Sequence, residues 1–356
     1  MAVVTSFYDP GPTTVQIPAA TSQLHVEFSR NVESFALNKY MQIIGGQRVI
    51  GLYAELSASD PVTVVSQEDN LWPDGMERPV GRKRPMRWRE WNCERRTYAF
   101  TLGGLTVDQA TFDIVAAHGR GEAARAMTDR TIDAITVLET SGNWDGNTTA
   151  TVDLLTGGSN ETWVGALATV ADQFIKKGFN KVKQNIAQAT GGVVRGEQLC
   201  FVINPVSADG MARAPEIQAY MTAHESALAV LNANDRRIVD TWGLPPILYG
   251  IEICIEDAVK QTSQREIDGS GTRTYVMADN VGVFTSRVGG LVGAGVPNQA
   301  NAAPSFTTLT GFFHEEMNVE TVTEGWDRLV KGAVTDNRDI VLTAPNSGFL
   351  IQDIST

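Results

Sequence analysis

The chain of 356 residues is poor in the side chains that most often carry chemistry, because it contains only three cysteines and four histidines. The cysteines, Cys93, Cys200 and Cys254, are widely spaced and odd in number, which argues against a disulfide framework or a zinc site. We therefore expect buried, reduced thiols. A Walker lysine motif, a Gly-x-Ser-x-Gly nucleophile elbow and a Cys-x-x-Cys pair are also missing. These absences predict no catalytic residue, no metal site and no cofactor.

Signals for export or membrane insertion are missing as well. No apolar run approaches the length of a membrane span, and Met1 is not followed by the basic and apolar regions of a signal peptide. The sequence therefore predicts a protein that is made in a cytoplasm and stays soluble.

One segment begins like the helix signature of zinc proteases. It reads His314-Glu315-Glu316-Met317-Asn318, and the second histidine of that signature is replaced by Asn318. The chemistry needs two imidazoles on one helical face, so the motif predicts no metal site.

Positive charge is scarce except in one segment. The chain has 29 basic and 41 acidic residues and a net charge of −12. Between Arg78 and Arg96, however, eight basic and two acidic residues accompany Trp88 and Trp91. An acidic chain is a poor general binder of nucleic acid, because neutralising phosphates needs positive surface. Charge complementarity instead favours docking of this segment on an acidic neighbouring copy.

Hydrophobic periodicity mixes helices with strands, which predicts an α+β fold. Helices are predicted at 31–44, 106–138, 163–186 and 215–231. Strands are predicted at 198–204, 248–255, 274–284, 319–322, 329–334, 340–342 and 349–354. Thr106 and Gln109 form a capping-box pattern that places the start of the long helix at Thr106.

A long β-hairpin is predicted between residues 47 and 102. Two stretches rich in β-formers, 47–65 and 88–102, flank a segment full of Asp, Asn, Gly and Pro. A two-stranded ribbon is barely stable alone, so we expect it to lie on another copy of the chain. The residues expected at that interface are Arg82, Lys83, Arg84, Arg87, Trp88, Arg89, Trp91, Arg95 and Arg96. The tryptophans should contribute more than the exposed ion pairs.

Two local motifs, together with the order of the predicted elements, make the chain similar to a known protein family. The first is Leu199-Cys200-Phe201-Val202-Ile203-Asn204-Pro205 followed by a helix, and the second runs from Trp326-Asp327-Arg328 through Gly348-Phe349-Leu350-Ile351. Residues 1–30 are rich in Pro, Thr, Ser and Gln and predict an extended arm. With this arm, the charged hairpin and the long helix, the chain resembles the major capsid proteins of tailed bacteriophages, which have the Hong Kong 97 fold.

The resemblance implies a division of the chain into four parts. They are an N-terminal arm at 1–45, an extended β-hairpin loop at 46–104, a peripheral domain at 105–203 and 333–356 with a spine helix at 106–138, and an axial domain at 204–332.

The resemblance also implies a function. The chain would be a virion protein without enzymatic activity that self-assembles as pentamers and hexamers into an icosahedral shell. The shell would form as a procapsid, mature, and enclose double-stranded DNA without sequence-specific binding. Implied partners are a separate scaffolding protein, a portal and a decoration protein.

Two other classes of protein stay open from the residues alone. The basic, aromatic hairpin is also suited to single-stranded nucleic acid, because unpaired bases stack on tryptophan and arginine. The second alternative is a soluble α/β enzyme whose site carries no recognisable motif.

Overall fold

The computed structural model describes residues 29–56, 74, 76–77, 86–110, 112–155, 162–164, 173–231, 242–262, 271–286, 306–325 and 329–355. Most of the predicted arm, the tip of the hairpin and the interface residues Arg82, Lys83 and Arg84 therefore lie outside the described residues.

The described residues form a mixed set of strands and helices. The strands are β1 (Met41–Ile44), β2 (Ile50–Leu56), β3 (Met86–Asn92), β4 (Glu94–Gly103), β5 (Thr148–Ala150), β6 (Leu199–Ile203), β7 (Ile247–Leu248), β8 (Ile251–Ile255), β9 (Val259–Gln261), β10 (Arg273–Tyr275), β11 (Val281–Ser286), β12 (Leu309–Glu324), β13 (Leu329–Leu342) and β14 (Phe349–Gln352). The helices are α1 (Leu37–Tyr40), α2 (Gly104–Gln109), α3 (Ile114–Glu139), α4 (Thr151–Leu154), α5 (Phe174–Ala189), α6 (Pro205–Ala212) and α7 (Pro215–Leu231). None of these described helices is both long and apolar enough to cross a membrane.

The larger sheet has six strands in the order β5-β14-β11-β6-β8-β7. Every residue of β6 and β11 is buried, as expected for central strands covered on both faces. An aromatic cluster fills one face, where Phe179 of α5 lies 5.2 Å between ring centroids from both Phe201 and Phe284. At the end of β6, Asn204 caps α6 by accepting the backbone N–H of Val206. The predicted strand and the helix after its Asn-Pro pair are confirmed.

The second sheet has four strands in the order β1-β12-β13-β4. β1 runs parallel to β12, and the other pairs are antiparallel. α3 packs across this sheet and buries its apolar side chains Met127, Ile135 and Leu138. β12 carries two irregularities in register between Phe313 and Asn318, which turn this part of the strand relative to β13.

The predicted hairpin is confirmed at its base. β2 and β3 pair in antiparallel register, from Ile50 opposite Asn92 to Leu56 opposite Met86. After Cys93 the chain enters β4, which pairs with β13. The returning half of the predicted hairpin therefore consists of two strands. β3 pairs with β2 in a two-stranded ribbon, and β4 belongs to the four-stranded sheet.

The helix predicted at 31–44 is wrong in its second half. Only Leu37–Tyr40 is α-helical, and Met41–Ile44 is β1. β1 pairs with β12 residue by residue, so tertiary pairing overrides the helical spacing of the local apolar residues.

The long helix begins at Ile114 rather than at Thr106. The Asp113 side chain accepts the backbone N–H of Ala116 at 2.9 Å and caps α3, whereas Thr106 lies within the separate short helix α2. α3 then continues without interruption to Glu139, past Gly119 and Gly121. A real N-cap 7 residues downstream therefore outweighs the capping-box pattern.

The second predicted helix also begins later than expected, at Phe174. Trp163 lies before it, outside any helix, and is 2 % exposed. Its ring is 5.3 Å from Phe179 and fits over Gly178, where a Cβ would overlap the indole. Trp163 therefore belongs to the core without belonging to the helical stripe.

The expectation of three reduced thiols is wrong for two of them. β6 and β8 bring Cys200 and Cys254 together as a disulfide, with Cα atoms 6.3 Å apart. The two positions are 54 residues apart in the chain, so their spacing gives no sign of the strand pairing that joins them. Cys93 is a free, buried cysteine as predicted.

The division into four parts stays a prediction. The proposed boundary between residues 332 and 333 falls inside β13, which is continuous there and pairs with both β12 and β4.

Candidate assembly interface

The register of β2 and β3 divides the hairpin into two faces. Residues directly opposite one another in an antiparallel pair share a face, and successive residues alternate between faces. Gly51 lies opposite Trp91 and Tyr53 opposite Arg89 on one face, which we call the inner face. The outer face carries the alternate residues, which include Ile50, Leu52, Met86 and Trp88 and also the polar residues Glu90 and Asn92.

The inner face is held against the same chain by aromatic stacking. Trp91 is 9 % exposed and lies on Phe312 of β12, with 4.5 Å between ring centroids. Its indole N–H donates to the Arg48 carbonyl at 3.1 Å, and Tyr53 lies 5.8 Å from the same phenyl ring. Only glycine fits at position 51, because a Cβ there would overlap the Trp91 ring. The base of the hairpin is therefore part of the core of its own subunit.

The inner face also pairs its charge internally. Arg89 binds Glu55 at 2.8 Å and reaches Asp145 at 3.5 Å. Burial alone would lower the pKa of Arg89, but the hydrogen bond to Glu55 and the nearby charges raise it. Arg89 is therefore fixed as a cation against its own chain.

The outer face is exposed and largely apolar, with Glu90 opposite Leu52 and Asn92 opposite Ile50 as its polar members. Ile50 is 64 % exposed, Leu52 60 %, Met86 47 % and Trp88 62 %. Single exposed apolar residues are ordinary, but a contiguous group on one face of a ribbon marks an interaction surface. Arg87, next to Trp88 in the chain, is also exposed. The outer face can dock on apolar surface, whereas Arg87 lies opposite Glu55 and projects on the inner face.

The remaining predicted interface arginines pair within the chain. Arg95 reaches Glu315 at 3.6 Å and stays largely exposed, whereas Arg96 binds Asp133 of α3 at 3.0 Å. Both residues lie on β4, beyond the free ribbon. They connect the strand that leaves the hairpin to the sheet and to α3.

Arg96 belongs to the margin of a buried ionic network between α3 and β13. Asp336 is fully buried, and it binds Arg130 at 2.9 Å and Arg338 at 2.5 Å. Arg338 also binds Asp133 at 2.8 Å. Burial alone would lower the pKa of Arg338, but the charges of Asp336 and Asp133 raise it. The network fixes the position of α3 on the sheet from which the hairpin projects.

The structure therefore divides the predicted interface residues into groups. Arg87 and Trp88 are free for a partner, Trp91 lies in the interior, and Arg89, Arg95 and Arg96 pair within the chain. Sequence reasoning missed the apolar residues of the outer face other than Trp88. The alternation of Ile50, Leu52 and Ala54 with Gly51 and Tyr53 was the signal that could have found them.

The described residues show no group of three or more His, Cys, Asp or Glu side chains placed to hold a metal ion. The segment that begins like a zinc-protease signature, His314–Asn318, is part of strand β12 rather than a helix, and the His314 ring lies 2.9 Å from the Gln47 carbonyl oxygen. This arrangement positions the hairpin base and offers no reacting group.

Comparison with known proteins gives structural relatives only. Neither a protein-family model nor a curated protein matches the chain. A solved phage-related protein from Bordetella bronchiseptica RB50 is similar with a TM-score of 0.56 and 10 % identity, over 90 % of this chain and 92 % of that one. The capsid of the cyanophage P-SCSP1u gives a TM-score of 0.54 and 8 % identity, over 95 % and 93 % of the two chains. The mature capsid of bacteriophage PhiM1 gives 0.51 and 11 %, over 92 % and 89 %. The chain therefore has the fold of bacteriophage capsid proteins.

Proposed function

We propose that this chain is the major capsid protein of a tailed bacteriophage. Copies would assemble as pentamers and hexamers into an icosahedral shell around double-stranded DNA, and the chain would have no catalytic activity. The observation that carries the proposal is the similarity to two phage capsid structures over about nine-tenths of each chain. The described residues add a matching physical feature, because a subunit with an exposed apolar ribbon needs partners.

The four parts of the chain follow from this proposal. α3 would be the spine helix of a peripheral domain at 105–203 and 333–356, and the ribbon would belong to the extended loop at 46–104. The leading arm at 1–45 would contribute β1 to the four-stranded sheet. The axial domain at 204–332 would face the centre of a pentamer or hexamer.

The outer face of the hairpin supports the contact between subunits. Trp88 and its apolar neighbours on that face are exposed in a single copy. Burying a tryptophan in a protein interface commonly contributes about 2–4 kcal/mol, whereas an exposed ion pair adds about 0–1 kcal/mol. Each subunit has several neighbours, so such contacts reinforce one another. We assign Trp88 as the principal anchor and Arg87 as a weaker electrostatic contact.

The remaining partners belong to the same proposal. A separate scaffolding protein, a portal and a decoration protein would complete the procapsid and the mature virion. The net charge of −12 suits a container for DNA, because acidic walls repel the packaged phosphates. Empty shells should consequently bind little duplex DNA even at low salt.

The test is electron microscopy of the purified chain with and without its scaffolding partner. Closed particles or isolated pentamers and hexamers are the expected result. A monomer that forms no larger species under either condition, while remaining folded by circular dichroism, would overturn the proposal. Binding of single-stranded nucleic acid is the alternative outcome of the same preparation, and of the two hairpin tryptophans only Trp88 has an exposed ring on which a base could stack.

A further inference from the structure

The segment that contains α5 carries positive charge and no negative charge. Residues 173–196 include five basic residues and no acidic one, whereas every one of the 41 acidic residues of the chain lies outside this segment. The five are Lys176, Lys177, Lys181, Lys183 and Arg195. In an acidic chain this segment is a local exception, and four of its five cations lie on one helix.

The buried side of α5 fixes the direction in which those lysines point. Its buried residues form one stripe, which consists of Ile175, Gly178, Phe179, Val182 and Ile186. Because an α-helix turns once in 3.6 residues, Gln184 lies opposite this stripe and points outward. Lys177 and Lys181, one turn apart, lie on one side of Gln184. Lys176 and Lys183 lie on the other side. We call this surface the basic face of α5, and it comprises Lys176, Lys177, Asn180, Lys181, Lys183 and Gln184.

Three of the four lysines keep their charges available. Among the described residues, no carboxylate forms an ion pair with Lys176, Lys177 or Lys181. Lys177 extends over the Phe174 ring at 5.7 Å from its centroid, a contact that leaves the charge unneutralised. Lys183 is occupied, because its ammonium group donates to the Tyr249 carbonyl.

The described carboxylates beside α5 do not neutralise this face. Glu216 is 4 % exposed and accepts the backbone N–H groups of Ile175 and Lys176 at the first turn of α5. Asp153 lies on α4, which packs on α5, and Glu197 follows the loop after α5. Both are exposed, and neither forms an ion pair with a described lysine.

We infer that the basic face of α5 binds an acidic polypeptide segment, and that this segment belongs to the scaffolding protein of the proposed function. Charge complementarity selects an anionic partner, and clustered cations commonly recognise acidic motifs. The amide groups of Asn180 and Gln184 add hydrogen-bond donors for carboxylates between the lysines. The inference rests on the proposed function and adds a docking site to it.

The size of the basic face favours a polypeptide over duplex DNA. Lys176 to Lys183 span about 12 Å of helix, a length that one acidic helix or strand matches. Duplex DNA carries one charge per about 1.7 Å of its axis and extends beyond this face, so its phosphates would meet the acidic residues that dominate the rest of the chain. Exposed ion pairs are individually weak and are screened by salt, so the contact should be reversible.

A binding assay on separated subunits tests the chemistry of the face. The probe is a fluorescent peptide of glutamate and alanine that is long enough to span α5. The parent should bind it and release it as salt is added. Lys177→Gln combined with Lys181→Gln should weaken binding about fivefold or more, because two exposed ion pairs are lost. The matched control combines Lys260→Gln with Arg273→Gln, which removes two positive charges from the β9–β10 hairpin and should leave binding unchanged.

Assembly with the scaffolding protein tests the identity of the partner. Lys177→Glu combined with Lys181→Glu should lower the amount of scaffolding protein that sediments with the particles about tenfold, because attraction is replaced by repulsion. Lys260→Glu combined with Arg273→Glu makes the same change of charge elsewhere and should leave that amount unchanged. Thermal unfolding of the separated subunits verifies that each variant folds.

The outcomes separate the inference from the proposed function. Parent particles that form normally, with a normal content of scaffolding protein in the Lys177/Lys181 variant, would overturn the docking site and leave the capsid assignment intact. A parent chain that never forms particles with the scaffolding protein would overturn both. Variant particles that fail to form although the variant subunit still binds scaffolding protein would make a second copy the occupant and overturn the inference.

The peptide assay can also overturn it. A parent that does not bind the peptide, or binds it no better than the Lys177/Lys181 variant does, would contradict the inference. Tighter binding of duplex DNA than of the peptide, lost in the same variant, would make nucleic acid the occupant. Loss of both peptide and scaffolding protein in the Lys177/Lys181 variants, with both controls unchanged, supports the inference.

Discussion

The indole ring of Trp91 stacks on the phenyl ring of Phe312, with 4.5 Å between their centroids and 9° between their planes. This pair joins the hairpin to the sheet of its own subunit. Trp88, on the same strand, is 62 % exposed and points the other way. Two tryptophans within one strand therefore differ in environment, since Trp91 packs in the subunit core and Trp88 is the exposed residue that we propose as an anchor for a neighbouring copy.

Substitution of the two tryptophans separates these roles. Trp91→Ala should lower the free energy of unfolding of the subunit by about 3–5 kcal/mol, as expected when a buried aromatic side chain is removed. Trp88→Ala should change it by about 0.5 kcal/mol or less, because little of the side chain is buried in one copy. Urea unfolding of dissociated subunits measures both.

The effects of Trp91→Ala and Trp88→Ala on assembly should be the reverse of their effects on subunit stability. Trp88→Ala subunits should fold normally and sediment as smaller species than the parent. If both variants destabilise the subunit equally, the division between an inner and an outer face is incorrect.

Asp336 is the centre of the buried network, and its substitution should be costly. Asp336→Asn leaves Arg130 and Arg338 buried with one charge too few, and loss of a partner from a buried ion pair costs about 3–5 kcal/mol. The control is Asp209→Asn, which removes an exposed pair with Arg213 and should cost less than about 1 kcal/mol. Chemical denaturation of both variants gives the comparison. Equal, small effects would show that the network contributes no more than a surface pair.

A pH dependence of stability follows from buried carboxyl groups. Burial raises the pKa of Glu256, although hydrogen bonds from Tyr40 and the Ala258 backbone lower it. Burial also raises the pKa values of Glu139 and Asp339. Above the ordinary glutamate pKa of about 4.3 the folded chain therefore holds protons that the unfolded chain has lost. The free energy of unfolding of the chain therefore falls as the pH rises from about 4.3, the pKa of an unfolded glutamate, to the raised pKa values of these groups in the folded chain.

Glu256→Gln removes one of these groups and should make the pH profile less steep without flattening it completely. The glutamine still offers a carbonyl oxygen to Tyr40, whose hydroxyl lies 2.7 Å from the carboxylate. Unfolding midpoints measured from about pH 4 upward, across the window set by the unfolded carboxyl pKa, provide the profile. Glu252→Gln is the control, because Glu252 is exposed on β8. A profile for Glu256→Gln as steep as that of the parent would assign the dependence to other groups.

The sequence predicted those features that rest on local patterns. β6, the helix that follows Asn204, α7 and the base of the hairpin all appear where periodicity and turn residues placed them. The order of these elements was also enough to suggest the fold, which the structural relatives share at about one residue in ten identical.

Features that depend on contacts distant in the chain could not be predicted. β1 is a strand because β12 lies beside it, and Trp163 is buried because Phe179 and Phe201 surround it. The candidate interface shows the same limit, since composition marked Trp88 and Trp91 alike. Only the strand register and the position of Phe312 show which of them faces outward.

Glu216 caps α5 from another helix, and this contact gives a last prediction. Gln173, before α5, provides no side-chain cap, and the backbone N–H groups of Ile175 and Lys176 donate instead to the Glu216 carboxylate at 3.0 and 2.9 Å. Tyr249 donates its hydroxyl to the same group at 2.7 Å. The carboxylate is only 4 % exposed, and a negative charge at a helix N-terminus is favourable.

Glu216→Ala should therefore leave three donors without a partner and cost about 1–3 kcal/mol of unfolding free energy for the lost buried acceptor. Glu216→Gln keeps one acceptor oxygen and should cost less. Amide hydrogen exchange at Ile175 and Lys176 distinguishes loss of the cap from a general loss of stability, because only the former speeds exchange at the start of α5 more than in α3. Uniformly faster exchange in both helices would show that Glu216 acts through the core rather than as a cap.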